Sequence, residues 1–408
     1  MLNLNAKKLE SIQAHINKEY IPKYFPGYSL SIYQGNNEIY YTENGYLDLE
    51  KRLSFSRDTI FRIFSMTKPI VSTAIMKLIE NNKLNLNDPV TKFIPEWNKL
   101  EVYKSGNKGN FLGTTFSKQM TIIDLLTHTS GLTYGLQRQT PVDKEYSRTG
   151  IDNIVDSKGI NGSKTSQEII NLLAKIPLEY PPGDHYHYSI SIDILGFIIE
   201  RVSDQTLDEY LSENIFEPLS MHDTSFFLDE SKKHRLAPCY RWNESKYIYE
   251  NINNSDNPKI TDIDFFKKPF AFSGGAGLLS TTKDYQKFGN SLLDARLGKR
   301  SLLVNNNTAD LMMRNYLKGG LDMAQSSFLP LAGEEYVRGV GFGLGGSVEM
   351  DQDSGEVLYF GWGGAASTLF HISPKHDYSL VFMTQVLESE VIRPLNKDIK
   401  TLIASALH

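Results

Sequence analysis

The chain has 408 residues, with 43 Lys and Arg against 48 Asp and Glu, so its formal net charge is −5. Hydrophobic residues at 40% and charged residues at 22% are globular usage and exclude a disordered or fibrous chain. Mild acidity without a block of Lys and Arg argues against nucleic acid as a partner, because phosphate neutralisation needs clustered cations.

The single cysteine, Cys239, cannot form an intramolecular disulfide or a cysteine-based zinc site. It fits a reducing cytoplasm. The segment Met1 to Glu10 lacks the apolar core of a leader peptide and reads as the start of an amphipathic helix. No run approaches about 18 uninterrupted apolar residues, so no membrane partner is expected. The expectation is a cytoplasmic protein of about two or three structural units.

In chain order, Tyr28 to Tyr33 and Glu38 to Tyr41 are β-rich runs around Gln34-Gly35-Asn36-Asn37, which predicts a hairpin. Another short run, Thr59 to Phe64, leads into Ser65-Met66-Thr67-Lys68-Pro69. Ile70, Val71, Ala74, Ile75, Leu78 and Ile79 then recur at helical spacing as one apolar stripe. From about 90 to 265 the chain reads as helices between polar loops. Thr121 with Asp124 and Thr206 with Glu209 mark helix starts, and Ser189 to Val202 is a strongly apolar helix. The stretches near 103–118, 136–165 and 243–258 read as surface loops.

Strand-like runs return at Gly341 to Met350, Val357 to Phe360, Ser367 to Ile372 and Tyr378 to Thr384, with short connections that favour antiparallel pairing. A helix over about Ile392 to Leu407 follows. The expected class is therefore α/β (α+β): an antiparallel sheet flanked by helices, with an inserted, mostly helical domain. The expected division is 1–90 plus 266–408 for the sheet domain and 91–265 for the insertion.

No G-x-S-x-G, P-loop or H-E-x-x-H is present in the sequence. His185-Tyr186-His187 is a lone H-x-H pair and reads as surface or packing rather than as a metal ligand set. The spacing S-x-x-K occurs at Ser65/Lys68, Ser105/Lys108 and Ser280/Lys283. Residues three apart on a helix share a face, so the amine can touch the hydroxyl, and a serine needs such a partner to become a nucleophile. Ser105 lies in a polar loop, and Ser280/Lys283 precedes a helix and looks like an N-cap region. Ser65 stands between a predicted strand and an apolar helix, where free backbone amides and the positive end of the helix dipole collect.

Phe64-Ser65-Met66-Thr67-Lys68-Pro69 closely resembles the nucleophile motif of the serine β-lactamase and penicillin-binding-protein superfamily. The nearer resemblance is to the class C branch that includes family VIII carboxylesterases. Leu125-Leu126-Thr127-His128-Thr129-Ser130-Gly131-Leu132 is similar to that branch's signature segment. Pro182-Gly183-Asp184-His185-Tyr186-His187-Tyr188-Ser189 is similar to its P-G-x-x-W-x-Y-S stretch, with Tyr186 for Trp. Gly361-Trp362-Gly363-Gly364-Ala365 resembles the W-G-G that esterase members carry where lactamases have K-T-G. The likeness runs from about residue 20 to 385.

That resemblance implies Ser65 as the acylated nucleophile, Lys68 as its proton partner and Tyr188 as a second acid or base. It implies an oxyanion hole from the Ser65 and Ala365 amides. Trp362, Gly363 and Gly364 would contact substrate, with the glycines clearing room for its carbonyl. No metal or other cofactor is implied. Tyrosine is a poor base at neutral pH, but a neighbouring lysine cation stabilises a phenolate. Tyr249-Glu250-Asn251 and Lys104-Ser105-Gly106 satisfy lactamase-like patterns but lie in the wrong order or context. His128 is expected only to tie a loop, and Cys239 to be a bystander.

Trp362 in place of a charged lysine, and Ile190 in place of an amide-bearing asparagine, remove partners for an anionic lactam. The expected substrate is a small ester with a short, neutral acyl group. A lactamase or D-amino peptidase, a transacylase, and a non-catalytic binding protein of the same fold are the alternatives.

Overall fold

The computed structural model describes residues 3–115, 118–135, 138–151, 164–252, 264–330, 334–351, 353–387, 389 and 391–407. Its largest feature is an eight-stranded antiparallel sheet. In spatial order the strands are Val340–Phe342, Ser347–Met350, Val357–Gly364, Thr368–Ser373, Tyr378–Met383, Gly27–Gln34, Asn37–Asp48 and Leu53–Ser54. Ile32 pairs with Leu380 on one side and with Tyr40 on the other. The predicted first hairpin is present, its turn carried by Gly35 and Asn36 with φ of 55° and 66°, the mirror-image geometry that suits a two-residue hairpin loop. The run from Gly341 to Met350 is two strands, because 343–346 turns back through Gly345 at φ 90°.

Alternation along the strands divides two cores. Leu30, Ile32, Leu369, Leu380 and Phe382 face helices Ala6–Glu19 and Ile392–Ala406 through Leu9, Ile12, Ile16, Leu395, Ile399 and Ile403. Those helical residues recur three or four apart, so one stripe of each helix is apolar. Phe370, Ile372, Val381 and Met383 point the other way, toward Tyr285 and Phe288 of helix Thr282–Arg296. That second core continues without a break into helices Thr67–Glu80, Ile122–Leu126 and Ser191–Ser203. Each fully buried aliphatic side chain contributes about 1.5–3 kcal/mol.

Several details differ from the sequence reading. Only Phe61–Arg62 of the 59–64 run is a strand, paired with Leu279–Ser280; Phe64 takes φ 42°, which ends the extension. Helix Thr67–Glu80 is buried from Thr67 to Met76 rather than along one stripe, since sheet and helices cover it together. The described part of 103–118 is a hairpin, Val102–Asn107 with Asn110–Thr114. The described part of 243–258 carries another, Tyr240–Asn243 with Ile248–Asn251, whose Tyr240 and Arg241 pair in parallel with Val386 and Leu387. Within 136–165, residues Pro141–Thr149 are a helix capped by the Thr140 hydroxyl. The remainders of these stretches at 116–117, 136–137, 152–163 and 253–258 lie outside the described residues. Among the described residues, no helix is long and apolar enough to cross a membrane.

Candidate active site

Ser65 sits in a 3-10 turn, Phe64–Met66, that runs directly into helix Thr67–Glu80. Three bonds to Leu278 and Tyr285, remote in sequence, pin this turn. The Tyr285 hydroxyl donates to the Met66 carbonyl at 2.8 Å, the Leu278 amide donates to the Thr67 hydroxyl at 3.1 Å, and the Ile63 amide donates to the Leu278 carbonyl at 3.2 Å. Lys68 is wholly buried, while Ser65 remains half-exposed. The lysine thus approaches the hydroxyl from within the protein and leaves its outer side open.

The three residues that the sequence singled out meet here. Lys68 Nζ donates to Ser65 Oγ at 3.2 Å, and the Tyr188 hydroxyl donates to the same oxygen at 2.7 Å. Both distances are within the reach that proton transfer requires. Lys68 Nζ also lies 4.5 Å above the Tyr188 ring and 5.3 Å from that of Tyr134. Its remaining bond goes to the Gly275 carbonyl at 2.7 Å.

Strand Val357–Gly364 brings up the opposite wall. Trp362 Nε1 donates to the Tyr188 oxygen at 3.4 Å, and the two rings lie 5.6 Å apart. Tyr134 stacks on the other side of Tyr188 at 5.6 Å and 20°. Trp362, Tyr188 and Tyr134 therefore form one half-buried aromatic face beside Ser65. A Cβ on Gly364 would stand 2.3 Å from the Ile63 carbonyl, so its bare backbone lets this strand close on the Ser65 turn. Gly363 is less confined; a Cβ there would meet only the Thr368 carbonyl at 3.2 Å. Ala365 begins the turn to the next strand, closed by the Ser367 amide donating to the Gly364 carbonyl at 3.0 Å.

His128 packs behind Tyr188, ring to ring at 4.7 Å, and its Nδ1 accepts from the Ser189 amide at 3.2 Å. Burial, the Lys68 charge and His187 hold it far below the ordinary histidine range, so it is neutral. Its carbonyl accepts from the His187 amide at 2.8 Å, tying together the two segments that present Tyr134 and Tyr188. His185 and His187 part company: one is exposed and the other buried, and each packs 5.8 Å from Phe328. Among the described residues no cluster of His, Cys, Asp and Glu could hold a metal ion.

The rejected patterns lie elsewhere, though in hairpins rather than loops. Lys104-Ser105-Gly106 and Lys108 belong to the Val102–Thr114 hairpin, and the Tyr249 hydroxyl donates to the Pro22 carbonyl at 3.1 Å. At Ser280/Lys283 the cap of the following helix is Thr281. Cys239 is buried, and burial pushes its thiol up to about 11, which leaves it unreactive.

Sequence reasoning passed over Tyr134, Asp193, Ser273 and Gly275. Asp193 carried the clearest signal: one acid within Ser-Ile-Asp-Ile-Leu-Gly-Phe-Ile-Ile, where everything around it is buried. An acid in the first turn of a helix also compensates the helix dipole, so the signal is not specific to a site.

A family model described as Beta-lactamase matches residues 17–405. Protein Rv1367c of Mycobacterium tuberculosis is 31% identical over 385 residues, covering 92% of this chain and 90% of that protein. Esterase EstB of Burkholderia gladioli is 32% identical over 206 residues, covering 50% of this chain and 48% of its own length. Among solved structures, EstCE1, described as a hydrolase with promiscuous acyltransferase activity, superposes with a TM-score of 0.76 at 24% identity, covering 98% of both chains.

Proposed function

The chain belongs to the beta-lactamase family, and from that premise we propose that it is a serine hydrolase cleaving carboxylic esters with small, neutral acyl groups through an acyl-enzyme at Ser65. The observation that carries this reading is the Ser65 hydroxyl held between Lys68 Nζ and the Tyr188 hydroxyl. In the resting geometry both groups donate to Ser65. Acylation reverses one of these bonds: after Tyr188 or Lys68 has released a proton to solvent, that phenolate or neutral amine takes the Ser65 proton as Oγ joins the carbonyl carbon. The proton then passes to the departing alkoxide, and water releases the acid by the same route.

The Ser65 and Ala365 amides would receive the developing oxyanion. Trp362 offers the acyl group an apolar wall where a lysine would attract a carboxylate. Ile190 is completely buried and presents no amide to a lactam, which weighs against a lactamase or peptidase. The reading includes a division into 1–90 plus 266–408 and 91–265, so that Ser65 and Trp362 come from one part and Tyr188 from the other. It also includes a cytoplasmic location, for which the lone buried cysteine is the support.

The test is intact-mass labelling with an alkyl phosphonate: wild type gains one adduct and Ser65→Ala none. Full turnover of p-nitrophenyl butyrate by Ser65→Ala would sink the assignment. Lys68→Ala and Tyr188→Phe each lose at least about 100-fold in turnover, the scale of an acid–base group.

A second reading, transfer of the acyl group to an alcohol or amine, is favoured by the half-buried aromatic face of Tyr134, Tyr188 and Trp362. A face of this kind can seat an acceptor in place of water. Faster release of nitrophenol on adding a small alcohol, with the new ester as product, identifies it.

A further inference from the structure

We infer that Asp193 is a positioning residue for Lys68: a buried carboxylate that fixes the 273–277 turn beneath the lysine and supplies the negative charge that keeps Lys68 an ammonium ion during acylation. The inference rests on Ser65, Lys68 and Tyr188 acting as proposed above, and assigns the proton of Ser65 to Tyr188.

Asp193 is 1% exposed, in the first turn of helix Ser191–Ser203. Its Oδ1 accepts the Ser273 hydroxyl at 2.5 Å and the Gly275 amide at 3.0 Å. The other end of the same residue, the Gly275 carbonyl, accepts Lys68 Nζ at 2.7 Å. One glycine therefore links carboxylate and ammonium. Only glycine fits, because a Cβ at 275 would stand 2.3 Å from Asp193 Oδ2. That Oδ2 is buried without a hydrogen-bond partner. A carboxylate left this way in the interior is costly unless a cation balances it.

The groups facing Lys68 come from several elements. They are the Ser65 hydroxyl, the Tyr188 and Tyr134 phenols, neutral His128, the Gly275 carbonyl and Asp193. Burial and Asp193 keep Tyr134 in its protonated form. Asp193 is the carboxylate of this set; burial raises it above the ordinary carboxylate range, and the Lys68 charge and the bonds from Ser273 and Gly275 oppose that rise. Two opposite charges in a dry site each favour the other's ionised form. A lysine held as ammonium cannot accept the serine proton. Tyr188, once its own proton has gone to solvent and its phenolate is balanced by that cation, then takes the Ser65 proton and returns it to the leaving alkoxide.

The test uses the full chain. Asp193→Asn keeps the shape and the acceptor for the Gly275 amide but removes the charge. The basic limb of kcat/KM for p-nitrophenyl butyrate should move down by about one pH unit or more, because Lys68 surrenders its proton sooner. A purely structural role would lower turnover with the limb unmoved, which overturns the inference. Should that variant fail to fold, NMR of wild-type enzyme with 13C-labelled lysine decides, with the Lys68 signal assigned by its loss in Lys68→Arg. A charged Lys68 at the pH of maximal activity is expected, and a neutral one overturns the inference. Phosphonate labelling runs alongside. A labelled Ser65 with either adverse result removes the inference alone, whereas an unlabelled wild type removes the acyl-enzyme reading with it.

Discussion

The phenol of Tyr188 is held from several sides: its hydroxyl lies 2.7 Å from Ser65 Oγ, its ring beneath Lys68 and against His128, and its oxygen within reach of Trp362 Nε1–H. An N–H aimed at that oxygen stabilises negative charge there and does nothing comparable for the neutral phenol. Trp362→Phe keeps an aromatic ring against Phe342 and Tyr188 but loses the donor. Its expected effect is a fall in kcat of about fivefold, the kinetic equivalent of about 1 kcal/mol, with KM nearly unchanged. Steady-state kinetics with p-nitrophenyl butyrate check this. A rise in KM alone would make Trp362 a wall and nothing more.

At the scale of elements, Glu179 joins the Gly131 backbone, through its amide at 2.8 Å, to the helix Pro141–Thr149, through the Thr140 hydroxyl that its carboxylate accepts. Burial raises its carboxyl from the ordinary 4.5 to about 7, with Asp143 adding to the rise. The folded state thus prefers the proton more than the unfolded chain does. That stability is complete below about pH 4.5 and is lost as pH rises through 7. Glu179→Gln, which cannot ionise, should flatten the slope of urea-unfolding stability between about pH 5 and 8. At pH 8 it should gain on the order of 2–3 kcal/mol.

The same scale shows what the sequence made legible. Ser65, Lys68 and Tyr188 could be found because motif spacing is local, and each motif sits where its element begins. The strands around Ile32, Phe370 and Val381 declared themselves through alternation and β-branched or aromatic residues. The Val102–Thr114 hairpin did not, because both its faces are largely exposed and polar. Its one signal was Lys108-Gly109, with φ of 48° and 82°, a two-residue turn with glycine second. Asp193, Gly275 and Tyr134 were hidden for another reason. Their part in the site depends on the 273–277 turn, the 131–135 segment and a helix start meeting in space, and no spacing along the chain encodes that.

For the whole molecule, the middle of the sheet joins two remote segments: Gly27–Gln34 pairs with Tyr378–Met383. The site inherits this, since Ser65 follows the first and Trp362 to Ala365 precede the second. A chain ending at residue 377 loses the strand between Thr368–Ser373 and Gly27–Gln34, and with it the contact of Phe382 with Tyr28 and Phe25. Such a chain should show no cooperative urea transition and take up no phosphonate, as circular dichroism and intact-mass analysis would record. Retained labelling would mean that the Ser65 turn is held by its bonds to Leu278 and Tyr285 alone.

That central pairing also sets a clock on the ribosome. At about 5–20 residues per second, the strand that completes the sheet emerges on the order of tens of seconds after its partner. Through that interval Gly27–Gln34 lacks the partner it has in the finished sheet, and an unpaired strand edge is the kind of surface that chaperones shield from aggregation. Ser65 leaves the tunnel early, whereas Trp362 to Ala365 are translated near the end, so the proposed site stays incomplete on an unfinished chain.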